Sequence, residues 1–155
     1  MSPIAILRII AFYLLAVVVA TILGGLVQSQ IEIAALAETP LDLNERLAAG
    51  WPALLGLLPT LAAILAVALL VTLPIAEALA RIFRPWRWLL FALAGAGGIW
   101  AAYKLLPALP LTLPSLTTPA GGWHWLALCA AVAIGSWLFG HLTRPKAKRG
   151  LRVLG

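Results

Sequence analysis

The sequence is poor in charged side chains. Of its 155 residues, 10% are charged and 63% are hydrophobic, and the mean hydropathy is +1.05. Water-soluble domains carry about 25% charged and about 45–50% apolar residues. A domain of this size leaves much of its surface exposed, so burial alone does not account for the excess. We therefore expect lipid to surround most of these side chains, and the length fits one domain.

Residues that ligate metals or catalyse reactions are also scarce. The single cysteine, Cys129, excludes an intrachain disulfide and a paired-cysteine metal or redox motif. His124 and His141 lie at opposite ends of one predicted helix, about 25 Å apart at about 1.5 Å per residue, so they cannot share a haem or a metal. Hydrolase and phosphate-binding motifs are absent from the sequence. We predict no cofactor and no metal.

Long hydrophobic runs are what the sequence does contain. They predict four transmembrane helices, at about 3–27, 52–81, 86–106 and 122–142. The very short connection between the second and third helices requires these two to be antiparallel neighbours. The predicted fold is therefore all-α: a polytopic membrane protein in which residues 1–143 form an antiparallel four-helix bundle, followed by a basic tail at 144–155.

The loops differ in character. The first loop holds all the acidic residues except Glu77, and the pattern from Thr39 to Asp42 predicts a short helix there that stops at Gly50. Four prolines in the third loop predict an extended segment. Pro59 and Pro74 predict kinks in the second helix.

The basic residues predict the orientation. Nine of the eleven Lys and Arg residues fall at Arg8, in the second loop or in the tail, whereas the other two loops hold only Arg46 and Lys104. Positively charged loops remain in the cytoplasm, so we expect both termini to be cytoplasmic. A net charge of +6 and a pI of about 10.5 would suggest nucleic acid in a soluble protein. Here the basic residues flank hydrophobic segments, so we predict the lipid bilayer as partner, with anionic lipid at the tail, and no nucleic acid.

Small residues recur at four-residue spacing and predict close helix packing. They form one row in each of the first, third and fourth helices: Ala16, Ala20 and Gly24; Ala94, Gly98 and Ala102; Ala127, Ala131 and Gly135. Packing within the chain is the favoured interpretation. Contact with a second copy or with another membrane protein is the alternative.

A few polar residues are candidates for function, each with a simpler structural explanation. Glu77 and Arg81 are four residues apart, which fits an interfacial ion pair, while Glu77 beside Pro74 also suggests a proton or cation site. Lys104 fits a lysine that extends to the outer membrane surface, or a contact to an anionic group. His124, between two tryptophans, fits an interfacial residue, or a site formed with carboxylates of the first loop.

The overall pattern resembles small uncharacterised four-helix inner-membrane proteins of Gram-negative bacteria. The stretches 25–30 (GLVQSQ) and 73–76 (LPIA) carry the resemblance. It implies a location in the bacterial inner membrane and no particular activity. Four-helix thiol oxidoreductases of similar size are excluded because they need paired cysteines.

Three functional hypotheses follow from the sequence. The first is a non-enzymatic membrane protein, acting as an accessory or scaffold subunit or as a small homo-oligomer. The second is a small transporter or channel, supported by the proline-broken second helix with Glu77 nearby. The third is a membrane-embedded enzyme that acts on lipid or quinone headgroups at the outer face through His124 and carboxylates of the first loop.

Overall fold

The chain folds into four α-helices. The computed structural model describes residues 3–110, 119 and 121–144. The helices are α1 (Pro3–Leu36), α2 (Leu43–Ile82), α3 (Arg87–Leu105) and α4 (Gly122–Leu142), and short 3-10 turns flank α3 at Arg84–Trp86 and Leu106–Ala108. Each of the four is long and apolar enough to cross a membrane, which confirms the predicted all-α polytopic fold. The third loop, predicted to be extended from Pro107 to Pro119, begins instead with the 3-10 turn Leu106–Ala108. Residues 111–118 of this loop and the basic tail after Arg144 lie outside the described residues.

The helices form a ring in which each packs against two neighbours. The contacts run from α1 to α2, α2 to α3, α3 to α4, and α4 back to α1. Consecutive helices are antiparallel, so the helix termini lie at the two ends of the bundle. The basic end carries Arg8, Arg81, Arg84, Arg87 and Arg144. The acidic end carries Glu32, Glu38, Asp42 and Glu45.

The centre of the bundle is apolar and closely packed. Its fully buried apolar side chains come from all four helices: Ala20, Leu61, Leu65, Leu69, Phe91, Ile99, Leu128 and Val132. Small residues let the helix backbones approach one another. A Cβ atom added at Gly135 would lie 2.9 Å from the backbone Cα of Ala20, so α1 and α4 touch backbone to backbone at this crossing. Close contacts of this kind hold membrane helices together because lipid competes equally well for larger apolar side chains.

Helix α1 continues past residue 27, where the sequence predicted its end. The polar residues that suggested a stop lie inside the bundle: Gln28 is 0% and Ser29 is 1% exposed. The Ser29 hydroxyl donates to Leu26 O at 2.9 Å, and Ile31 and Ile33 are buried one turn further on. Packing of this extra length therefore stabilises the helix as far as Leu36.

Helix α2 begins at Leu43, nine residues before the predicted start at 52. Asp42 caps it, accepting from Leu43 N at 2.8 Å, and Glu45 completes a capping box. Gly50 was predicted to end a short separate helix, and that prediction was wrong. Gly50 is buried, and a Cβ there would lie 3.2 Å from Gln30 Nε2, so the glycine serves the contact between α1 and α2.

Helices α1 and α2 are longer than a bilayer crossing requires. At about 1.5 Å per residue, the 34 and 40 residues of α1 and α2 extend about 50 Å and about 60 Å. The hydrocarbon core of a bilayer is about 30 Å thick. The 19 residues of α3 and the 21 of α4 fit that thickness. The first two helices are therefore each longer than the hydrocarbon core is thick.

Candidate functional site

Arg87 organises the polar groups at the basic end of the bundle. Its Nη2 atom lies 2.8 Å from Glu77 Oε2 and donates to Thr143 Oγ1 at 3.2 Å, while Nε donates to Gly140 O at 3.4 Å. The side chain is 14% exposed, compared with 78% for the side chain of Arg81. Glu77, Arg87, Gly140 and Thr143 thus form one group, here called the Arg87 cluster. It joins α2, α3 and α4.

Two aromatic rings pack beneath the Arg87 cluster, on its side towards the bundle centre, and one of them contacts the Arg87 guanidinium. The guanidinium carbon lies 4.9 Å from the centre of the Phe91 ring, and that ring packs against Phe139 with centroids 5.9 Å apart. A cation held over an aromatic face is attracted by the ring electrons. A Cβ at Gly140 would lie 2.9 Å from Phe91 Cβ, so only glycine lets the Phe91 ring reach this position.

Glu77 forms two ion pairs, and the predicted one with Arg81 is the weaker. Arg81 Nε lies 4.0 Å from Glu77 Oε1, whereas Arg87 approaches the other carboxylate oxygen to 2.8 Å. The four-residue spacing that predicted the pair could not reveal Arg87, which lies on a different helix. The turn between α2 and α3 brings Arg87 back to Glu77.

An apolar groove of about 420 Å³ opens beside the Arg87 cluster. Residues of α1, α2 and α4 form its walls: Ile9, Ile10, Tyr13, Leu69, Leu70, Leu73, Pro74, Glu77, Arg81, Phe139 and Thr143. Apolar side chains line most of its length, and the charged groups stand at its end, near the C-terminus of α2. Because Pro74 has no N–H, the carbonyl of Leu70 lacks its usual helical donor at this wall.

A second polar contact lies at the acidic end, and the sequence did not reveal it. The Tyr103 hydroxyl donates to Gln28 Oε1 at 2.8 Å, and both residues are buried. Trp125 meets the Tyr103 ring edge to face, with centroids 5.3 Å apart. The sequence did contain a sign that Gln28 is buried. Gln28 continues, at four-residue spacing, the row of Ala16, Ala20 and Gly24 that faces the bundle centre.

The other predicted candidates lie apart from these groups. Lys104 is exposed near the end of α3, and His124 is exposed in the first turn of α4. Among the described residues, no group of three His, Cys, Asp or Glu side chains is arranged to hold a metal ion. His124 and the acidic residues of the first connection therefore do not form a ligand set in this part of the chain.

The small residues singled out from the sequence do meet other helices. Gly24 faces Val132 and Leu61, and Gly98 faces Thr72, each at ordinary or tight contact distance. Ala20 faces Gly135. These contacts place the predicted packing residues inside the chain's own bundle.

Comparison with known proteins finds no family model, no curated protein and no solved structure that matches this chain.

Proposed function

We propose that the chain is a non-enzymatic integral membrane protein of a bacterial inner membrane, acting as an accessory or scaffold subunit or as a small homo-oligomer. The observation that carries the proposal is the hydrogen bonding of the buried polar side chains. Among the described residues, every shielded side-chain nitrogen or oxygen has a hydrogen-bond partner. Binding and catalytic sites instead hold polar groups directed at a ligand.

The packing of the centre supports the same proposal. Leu61, Leu65, Leu128 and Val132 are each 0% exposed, and they fill the space where a conduit through one chain would run. A path for ions or polar solutes needs polar groups along its wall. The close contact of Glu77 with Arg87 favours an interfacial ion pair over a cation-binding carboxylate.

Two glycines suggest where another chain would pack. A Cβ at Gly56 or at Gly97 would meet no atom within 4 Å, so neither glycine is needed for packing inside the described bundle. Glycine within a helix costs about 1 kcal/mol relative to alanine. In membrane helices such small residues permit close contact with a neighbouring helix. A helix of a second protein, or of another copy, fits this role.

The test is native mass spectrometry of the protein purified from its native membrane in mild detergent. We expect a homo-oligomer or a stoichiometric partner, which Gly97→Leu releases and the matched variant Gly97→Ala retains. Gly56→Leu examines the other face in the same way. A monomer that carries no partner would contradict the proposal.

The orientation is part of the proposal: the basic end faces the cytoplasm. A cysteine placed at Glu38 or at Arg84, in a Cys129→Ser background, would report on the two ends. We expect a membrane-impermeant maleimide to label Glu38→Cys from outside the inner membrane. Arg84→Cys should react only after that membrane is opened. The reverse pattern would overturn the orientation.

A further inference from the structure

The apolar groove beside the Arg87 cluster has a charged end and an apolar length, as a site for a lipid would. We propose that it holds one acyl chain of an anionic phospholipid from the leaflet at the basic end, with the lipid phosphate at Arg81. The inference goes beyond the proposed function, because it requires only that the helices cross a bilayer.

The length of the groove fits one leaflet. Along α2 its wall extends from Leu69 to Arg81, 12 positions further along the helix, or about 18 Å at about 1.5 Å per residue. Half of the hydrocarbon core is about 15 Å thick. Arg81 stands next to the last residue of α2, Ile82. The groove therefore begins at headgroup level and continues through the apolar part of one leaflet.

The charges at the mouth select an anion. Glu77 contributes one negative charge, and Arg81 and Arg87 contribute two positive charges, so the three side chains leave a net charge of +1. Arg87 is turned inward and engaged with α4. The Arg81 side chain is 78% exposed, and its Nε lies 4.0 Å from Glu77 Oε1, a loose contact that leaves the guanidinium accessible. A guanidinium matches the geometry of a phosphate group with paired donors.

Competition between two lipids tests the headgroup contact. The purified full chain is equilibrated with equal amounts of phosphatidylglycerol and phosphatidylcholine bearing the same acyl chains, and native mass spectrometry counts the lipid retained. We expect phosphatidylglycerol to be preferred, and Arg81→Gln to lower its retention about fivefold, as for removal of one charge beside an anionic lipid. The matched variant Arg84→Gln should retain it, because exposed Arg84 does not line the groove.

A second pair of variants tests the acyl-chain contact. Leu70, 61% exposed, lines the groove, whereas its neighbour Val71, 58% exposed, does not. Leu70→Trp should fill the groove and lower retention, and Val71→Trp should not. Circular dichroism would show that both variants keep their helix content.

Three results would overturn the proposal. Equal losses in Arg81→Gln and Arg84→Gln would indicate general attraction to a basic surface. Equal retention of the two lipids would remove the headgroup contact. Unchanged binding in Leu70→Trp would place the lipid elsewhere on the protein.

Discussion

The hydroxyl of Tyr103 donates to Gln28 Oε1 at 2.8 Å, joining α1 and α3, which lie diagonally across the four-helix ring. Both side chains are buried, and the two residues are 75 positions apart in the chain. This contact gives α3 a fixed depth relative to α1. It also explains how α1 accommodates a polar residue at position 28 and continues as a helix.

Tyr103→Phe should lower the free energy of unfolding by about 1 kcal/mol, within the range measured for hydrogen bonds between membrane helices. The matched variant is Tyr13→Phe. The Tyr13 hydroxyl donates to Ala66 O, a carbonyl within a helix, so its loss should matter less. Unfolding in mixed detergent, followed by circular dichroism, measures both. A larger effect at Tyr13 would contradict the ranking.

Arg87→Gln should destabilise the protein by about 2 kcal/mol, because the side chain makes several charge-assisted contacts and is 14% exposed. Arg84→Gln, at an exposed position, should change stability by less than about 0.5 kcal/mol. The double variant Arg87→Gln with Glu77→Gln should be less destabilised than the sum of the two single variants, since they share one ion pair. Simple additivity would show that the two side chains are not coupled.

Gly135→Ala should destabilise by about 1–3 kcal/mol, because the new methyl group would meet the backbone of Ala20 and push α1 away from α4. Gly97→Ala is the matched control, since the methyl group there meets no atom within 4 Å. Better helix propensity should make that variant neutral or more stable in the isolated chain. Similar losses in both variants would show that helix packing is not the cause.

Asp42→Ala should lower the free energy of unfolding of the first turns of α2 by about 1 kcal/mol, because the capping hydrogen bond is lost. Asp42→Asn should retain most of the effect of the cap, because an amide oxygen still accepts from the backbone. Hydrogen exchange of the amides from 43 to 50 is the measurement. Equal protection in the wild type and in Asp42→Ala would show that helix packing alone holds this segment.

The candidate site could be predicted only in part. The four-residue spacing of Glu77 and Arg81 gave their ion pair, but it could not show that Arg87 approaches Glu77 more closely. That approach depends on the angle at which α3 leaves the turn after α2. The groove was likewise invisible, because its walls come from three helices separated widely in the chain.

The helix ends could likewise be predicted only in part. The predicted bounds of α4, 122–142, agree with the structure, because polar and loop-forming residues flank this span. The predicted end of α1 is too early and the predicted start of α2 is too late, because Gln28 and Gly50 are residue types that often mark helix boundaries. In the folded chain Gln28 accepts from Tyr103, and Gly50 lets α1 approach α2.

The sequence by itself determined the four helical spans and the separation of the basic end from the acidic end. Both features follow from consecutive residues, because they depend only on the lengths of the hydrophobic segments and on the charges between them. Tertiary structure decided which polar groups pair, where α1 and α2 begin and end, and where a groove opens. These features depend on contacts between residues far apart in the chain. In a bundle whose helices are all apolar, small differences in packing, rather than hydrophobicity, select those contacts.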